Sequence, residues 1–312
     1  MSGSSIEAVN LSKSFGSFAA VSSLSLKLEG TKCIGFLGPN GAGKTTTMKM
    51  FTGLISPTRG KALINGVDIK EDKKRALGSC ASLIETPEIY PALTAREALM
   101  MLSELRGVPK EERTKRIDEA LGKVKMQEWA DKKVGSYSKG MKQRVNVAST
   151  ILSDPQVIIL DEPSTGLDPR GQSEVRDIVK SLGNRLVFMS SHLLSEVTEI
   201  CQEVAMVDHG KLLVYDTIEN VTAKFAGDGG AAEAGFSRDV DEATLARILR
   251  LEGVDKAQKS DPRHLSIRFM GGLQTQERLF GQLASMNVGI ISFRETSTGL
   301  EDAYLKLIQE TL

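Results

Sequence analysis

The chain of 312 residues has little of what would mark it as a secreted, disulfide-bonded or membrane-spanning protein. Its cysteines, Cys33, Cys80 and Cys201, are odd in number and form no C-x-x-C pair, so neither a disulfide framework nor a cysteine metal site is indicated. No apolar run approaches the ~18 residues of a membrane span, and the N-terminus lacks the basic and apolar parts of a secretory signal. We therefore expect a protein of a reducing, cytoplasmic compartment that neither spans a membrane nor is secreted.

The chain also lacks an excess of charge of either sign. Forty basic residues balance forty acidic ones, so no net field attracts nucleic acid or an anionic membrane. Its hydrophobic content of 40% is sufficient for a sizeable core, and its length favours about two domains. The composition therefore predicts an ordinary globular protein.

A glycine-rich loop at residues 38–46 is the strongest single pattern. It follows a short apolar run and precedes a helix-forming stretch, which is the context of a phosphate-binding loop and not that of a plain glycine turn. Its glycines let backbone N–H groups point inward, Lys44 adds a charge for the outer phosphates, and the Thr45 hydroxyl can ligate Mg²⁺. The expected nucleotide-binding residues are Gly38, Pro39, Asn40, Gly41, Ala42, Gly43, Lys44, Thr45 and Thr46.

Two adjacent carboxylates, Asp161 and Glu162, follow the aliphatic run 157–160. A buried parallel strand would deliver them to the carboxyl edge of a sheet, where ligands bind. In isolation, the alternative is that these two acids merely begin a solvated loop. Beside a phosphate loop we expect one to support Mg²⁺ and the other to activate water.

His192 follows the next predicted buried strand, which begins with the apolar residues 186–189 and runs through Ser190-Ser191. A lone histidine is usually structural, but its predicted place beside the two carboxylates favours contact with a transferring phosphoryl group. Phe15 ends an early predicted strand and is either a core or edge phenylalanine or an aromatic that stacks on a nucleobase.

The chain divides into predicted domains at a change of composition. Residues 1–225 are predicted to form an α/β domain with a mixed sheet, an antiparallel β lobe containing an Asn65-Gly66 hairpin, and a helical insertion at about 94–153. Residues 226–235 are small and lack apolar periodicity, which predicts a linker. Residues 236–312 have the order β-α-β-β-α-β plus a final helix, which predicts a small α+β ferredoxin-like domain.

The segment Tyr137-Ser138-Lys139-Gly140-Met141 completes a resemblance that spans residues 6 to about 220. With the phosphate loop, the two carboxylates and His192, it resembles the nucleotide-binding subunit of an ABC transporter, a P-loop NTPase fold, and its family signature L-S-G-G-Q. Ser138 and Gly140 match that signature, whereas Lys139 and Met141 depart from its commonest form. The resemblance implies a homodimer that sandwiches two ATP molecules, with Ser138 and Gly140 closing on the nucleotide of the opposite subunit.

The resemblance also implies a role for each matching residue. Phe15 would stack on adenine, and Asp161 would support the Mg²⁺ held by Thr45. Glu162 would be the general base, with Lys44 and His192 on the phosphates. Residues 164–168 resemble the D-loop, which communicates between the two sites.

One departure concerns Glu85, where most family members have a glutamine. There the resemblance implies contact with Mg²⁺ and with the membrane partner. The surrounding segment 84–91 and the tail 297–304 resemble the branch that exports drugs and peptide antibiotics or confers immunity to them.

These observations predict an ATP-hydrolysing subunit that pairs with a separately encoded membrane-spanning permease at the cytoplasmic face of the membrane. The alternative is a soluble ABC-type ATPase acting on nucleic acid or ribosomes. The sequence shows no long heptad repeat, second cassette or dense basic patch to favour it. A small-molecule kinase would explain neither the segment 138–143 nor Glu162.

Overall fold

The computed structural model describes residues 3–85, 88–226, 229–271, 273–296, 300, 303–304 and 306–307. The chain separates into two compact units, Met1–Thr217 and Ile218–Leu312. No helix in the described ranges is long and apolar enough to cross a membrane.

The first unit contains two sheets and a set of helices. Its strands are β1 (Ser5–Phe15), β2 (Phe18–Glu29), β3 (Cys33–Leu37), β4 (Arg59–Ile64), β5 (Val67–Asp68), β6 (Cys80–Leu83), β7 (Val157–Asp161), β8 (Leu186–Ser191), β9 (Glu203–Asp208) and β10 (Lys211–Thr217). Its helices are α1 (Lys44–Phe51), α2 (Lys73–Gly78), α3 (Ala95–Leu105), α4 (Lys110–Lys123), α5 (Lys139–Ile151), α6 (Pro169–Lys180) and α7 (Leu194–Ile200).

The antiparallel lobe predicted near the N-terminus is confirmed. Within the described residues its strands lie in the order β2-β1-β4-β5. The turn between β4 and β5 places Asn65 at φ 49° and Gly66 at φ 76°. Both values lie in the left-handed region that a two-residue type I′ hairpin requires, and this is why Asn-Gly predicted the turn.

The second sheet carries the predicted site. Its order is β10-β9-β3-β8-β7-β6, and all neighbours are parallel except β9 and β10. Every residue of β3, β7 and β8 is buried, as their continuous aliphatic composition predicted. The register pairs Leu37 with Ser191 and Ser190 with Asp161, so the carboxyl ends of these three strands meet at one edge.

The predicted helical insertion between β6 and β7 is confirmed as α3, α4 and α5. The Thr94 side chain caps α3 by accepting from the Glu97 N–H, while the Glu97 carboxylate accepts from the Thr94 N–H. This reciprocal pair is the predicted capping box, which satisfies two backbone donors that a helix start leaves open.

The second unit consists of α8 (Ile218–Ala226), β11 (Gly229–Phe236), α9 (Glu242–Ile248), β12 (Val254–Asp261), β13 (His264–Met270), α10 (Leu273–Ser285) and β14 (Ile290–Thr296). Its described strands form an antiparallel sheet in the order β12-β13-β11-β14. From β11 onward the elements follow the predicted β-α-β-β-α-β order of a ferredoxin-like domain. Most of the predicted final helix, 299–312, lies outside the described residues.

The predicted linker at 226–235 is wrong over most of its length, because residues 229–236 form the strand β11 inside this sheet. Ala232 and Ala234 are fully buried in the core of the second unit. A Cβ added at Gly230 would lie 2.4 Å from the Phe269 ring, so packing favours glycine at this position. Composition alone does not distinguish this case from a flexible segment, because both are rich in glycine and alanine.

Candidate active site

The loop between β3 and α1 has the geometry of a phosphate cradle. Gly43 lies at φ 96°, and a Cβ there would come within 2.5 Å of the Ala20 carbonyl oxygen. At Gly38 a Cβ would come within 2.3 Å of the Val207 carbonyl oxygen. No side chain caps the start of α1, so the backbone amides of its first turn remain available to an anion.

The other predicted loop residues lie where this cradle needs them. Pro39, Asn40 and Gly41 are exposed at its rim, and the buried Ala42 closes it through a 3.1 Å bond from its N–H to the Pro39 carbonyl. Thr45 and Thr46 are half-buried in the first turn of α1.

Lys44 connects this loop to Glu162. Its side chain is 5% exposed, and Nζ donates to the carbonyl oxygens of Gly38 at 2.7 Å and Pro39 at 3.2 Å. The same Nζ lies 3.5 Å from Oε1 of Glu162. The buried ammonium therefore lies between the phosphate cradle and the predicted general base.

Ser190 fixes the turn that carries Asp161 and Glu162. Its hydroxyl donates to Oδ1 of Asp161 at 2.6 Å and accepts the Glu162 N–H at 2.9 Å. Glu162 lies at φ 46°, in the left-handed region that glutamate rarely adopts. These bonds hold a strained backbone that directs the glutamate toward Lys44.

His192 lies beside Glu162, as the two strand ends predicted. Its Nδ1 is 2.7 Å from Oε2 of Glu162, and the Thr165 hydroxyl donates to the same oxygen at 2.6 Å. Burial raises the pKa of the Glu162 carboxyl. The bonds from Thr165 and His192, with the charges of His192 and Lys44, lower this pKa by more, so the net shift is downward. The carboxylate is thus held ionised, the form that accepts a proton.

Ser138 and Gly140 lie in a different part of the first unit. Ser138 caps α5 by accepting the Met141 N–H at 3.2 Å. Both residues line a cleft of about 410 Å³ shared with α6, whose lining includes Gly166 and Asp168 but neither Lys44 nor His192. The structure therefore does not bring Ser138 and Gly140 together with the phosphate cradle of the same chain.

Phe15 and Glu85 are exposed and make other contacts. The Phe15 side chain is 52% exposed, with Nζ of Lys13 5.1 Å from its ring centroid. The Glu85 side chain is 67% exposed, and its Oε1 lies 2.5 Å from Nζ of Lys49. Among the described contacts, neither residue touches Lys44, Thr45 or Asp161.

The donors around Asp161 fit a hard cation such as Mg²⁺. No group of three or more His, Cys, Asp or Glu side chains that could hold a metal occurs in the described part of the chain. Magnesium bound with a nucleotide usually takes only one or two protein oxygens, together with phosphates and water. The Asp161 carboxylate and the Thr45 hydroxyl are such donors.

Sequence reasoning missed two buried polar side chains that support the site. Ser190 interrupts the apolar strand β8, and a polar residue within such a run is a signal that could have found it. Gln143, on α5, is 4% exposed and donates from Nε2 to the Pro163 carbonyl at 2.6 Å. It connects the helix of Ser138 to the loop after β7.

Three comparisons with known proteins agree with this geometry. Residues 21–165 match the family model described as "ABC transporter". The chain is 34% identical to the bacitracin transport ATP-binding protein BcrA of Bacillus licheniformis, over 97% of each chain. It is 28% identical to the linearmycin resistance ATP-binding protein LnrL of Bacillus subtilis (strain 168), over 98% of this chain and 99% of that one. A solved ATP-binding subunit of an ABC transporter covers 70% of this chain and 92% of its own, with 26% identity and a TM-score of 0.64.

Proposed function

The chain belongs to the ABC transporter family of ATP-binding subunits, and from this we propose that it powers a separate membrane-spanning permease at the cytoplasmic face of a membrane. It is an ATPase of this family. The observation that carries the site assignment is the meeting of Lys44 and His192 at the Glu162 carboxylate, whose oxygens lie 3.5 Å from Nζ of Lys44 and 2.7 Å from Nδ1 of His192.

Each residue has a definite task in hydrolysis. The amides of the loop and the Lys44 ammonium hold the outer phosphates, and the ionised Glu162 takes the proton of the attacking water. His192 directs Nδ1 to Glu162, which leaves Nε2 for the γ-phosphate. When bound, Mg²⁺ would neutralise phosphate charge, held by the Thr45 hydroxyl and the Asp161 carboxylate. Phe15, whose ring is exposed at the end of β1, would stack on adenine.

A homodimer completes the proposed site. Ser138 and Gly140 line a cleft that is separate from the cradle of their own chain, and they lie at the start of α5, the end of a helix that suits an anion. We infer that they bind the γ-phosphate held by a second copy, so that two chains enclose two ATP molecules.

The proposed cargo is an antibiotic peptide or a similar amphiphilic drug, moved outward. The relatives named for bacitracin transport and linearmycin resistance align over nearly the whole chain, and these names support the export branch. The alternative of a nucleic-acid or ribosome ATPase finds no support in them. The even balance of forty basic and forty acidic residues also speaks against a phosphate-backbone partner.

The test of the general base is Glu162→Gln. We expect ATP to bind as in wild type and hydrolysis to slow by about 10²- to 10⁴-fold, the usual contribution of a general base. Glu128→Gln, an exposed acid outside the site, is the control and should hydrolyse normally.

The Glu162→Gln variant also tests the proposed dimer. In this slow variant ATP should hold two chains together, which light scattering measures. A monomer with Mg-ATP bound contradicts the sandwich.

Two further measurements separate the remaining parts of the proposal. Lys44→Ala should lose nucleotide binding or turnover, because no other described cation lies between the loop carbonyls and Glu162. Co-purification from membranes with a multi-span subunit would support the permease partner, and co-purification with nucleic acid instead would favour the alternative.

A further inference from the structure

Glu196 is a buried acid that the proposed chemistry does not use. It lies on α7 and is 2% exposed. Its Oε2 accepts from the Ser191 hydroxyl at 2.8 Å, and its Oε1 accepts a short hydrogen bond from the Ser164 hydroxyl. Burying a carboxyl group costs free energy unless such bonds compensate, so these two serines account for its place in the fold.

Each serine is the chain neighbour of a residue that touches the general base. Ser164 precedes Thr165, whose hydroxyl donates to Oε2 of Glu162. Ser191 precedes His192, whose Nδ1 lies against that same oxygen. The contacts and peptide links together close a ring, here called the carboxylate ring, made of Glu162, Thr165, Ser164, Glu196, Ser191 and His192.

The carboxylate ring joins two loops that leave neighbouring strands. The loop after β7 carries the general base, and the loop after β8 carries His192. The Glu196 carboxylate accepts one bond from the loop after β7, at Ser164, and one from the last residue of β8, Ser191, and so links the starts of the two loops. The Ser191 hydroxyl also accepts the Leu193 N–H at 2.9 Å, which orients it toward Glu196.

We propose that Glu196 is a positioning residue for ATP hydrolysis, which acts through Ser164 and Ser191 to hold Thr165 and His192 against the Glu162 carboxylate. This inference rests on the proposed function of Glu162. Glu196 acts through hydrogen bonds and contacts neither the reacting atoms nor the nucleotide in this scheme. Its loss should therefore affect the chemical step and leave ground-state binding unchanged.

The first experiment measures kcat and the ATP dissociation constant for Glu196→Ala and Glu196→Gln. We expect alanine to lower kcat by about 10- to 100-fold, as is usual when a supporting hydrogen-bond partner of an active-site group is lost. The dissociation constant should change by less than about two-fold, because the lost interaction matters in the transition state. Glutamine keeps the volume and one acceptor oxygen, so its kcat should lie between those of alanine and wild type.

Glu199→Ala is the matched control on the same helix. Glu199 is partly exposed and pairs with Lys180 at 2.9 Å on the surface, outside the carboxylate ring. Its turnover should match wild type. If Glu196→Ala does not fold, Ser164→Ala and Ser191→Ala carry the test, since each removes one bond to the same carboxylate.

The second experiment combines Glu196→Ala, or a serine variant, with Glu162→Gln. If Glu196 acts through Glu162, the double variant should be as slow as Glu162→Gln alone, whereas an independent structural effect would multiply the two losses. Wild-type kcat in both Glu196 variants, or multiplied losses in the double variant, overturns the inference while the proposed function stands. Wild-type turnover in Glu162→Gln alone overturns the proposed base, and the role of Glu196 with it.

Discussion

Glu85 pairs with Lys49 one helical turn beyond Thr45, since Lys49 lies four residues after it on α1. Residues four apart lie on the same helix face, so we expect the Glu85 carboxylate to lie on the Thr45 side of α1. A bound cation would compete with Lys49 for this carboxylate, which is a stronger ligand for a hard cation than the usual glutamine.

We therefore expect Glu85→Gln to tighten ATP binding in EDTA and to relax the Mg²⁺ requirement while turnover persists. The change removes a negative charge that repels the γ-phosphate when no metal is present. Titration of ATP with Mg²⁺ and with EDTA measures it. Lys49→Gln, which leaves the Glu85 charge unpaired, should shift the metal dependence in the opposite direction. Equal dependence in wild type and Glu85→Gln would remove Glu85 from the site.

The residues proposed to act on the nucleotide follow from local sequence patterns, whereas the residues that support them do not. Lys44, Asp161 and Glu162 follow patterns whose chemistry requires those side chains in that order. Ser190 and Glu196 act through contacts between strands and helices that are distant in the sequence, at separations of 29 and 32 residues from Asp161 and Ser164. No local spacing predicts such contacts, because they depend on how the sheet is ordered.

Among the elements, the strand β11 gives the clearest test of the fold. Ala232→Asp places a charge in a fully buried position between β13 and β14, which solvent does not reach. We expect the second unit to lose at least about 3 kcal/mol of unfolding free energy, because a buried unpaired charge is strongly unfavourable. Urea unfolding followed by circular dichroism measures the loss.

Gln258→Asp is the matched control, because it adds the same charge at an exposed position of the same sheet. It should change the unfolding free energy by less than about 0.5 kcal/mol. Equal stability of the two variants would mean that residues 229–236 are not a core strand.

The elements that were predictable have a local cause. The runs of β7 and β8 are aliphatic because parallel strands are covered on both faces, and Asn65-Gly66 suits a turn that needs two positive φ angles. The sequence of β11 itself contains no pattern that predicts a strand. Gly230, for example, is explained only by the Phe269 ring on the neighbouring strand β13.

At the scale of the whole molecule, the two compact units suggest where the chain can be divided. All predicted nucleotide-binding residues precede Thr217, and α8 belongs to the second unit. We propose that a fragment of residues 1–217 folds alone and binds ATP within about three-fold of the full chain, since a compact unit with its own core can be independent.

Isothermal titration of ATP into this fragment measures the affinity. A fragment of residues 1–226, which retains α8 without the rest of its unit, is the control. It should bind ATP equally well, because α8 carries none of the predicted nucleotide-binding residues. Failure of the shorter fragment to bind ATP would mean that the division at Thr217 is wrong.

The separation of Ser138 and Gly140 from the cradle of their own chain has a genetic consequence in the proposed dimer. Each ATP compartment of the dimer is formed by the cradle of one chain and by Ser138 and Gly140 of the other. A chain defective at Lys44 therefore inactivates the compartment that contains its own cradle. A chain defective at Ser138 inactivates the compartment that contains its partner's cradle. When both defective copies are mixed, a pair made of one of each contains one compartment with both faults and one with none. Two inactive alleles would thus complement each other, whereas either allele paired with itself would leave no intact compartment.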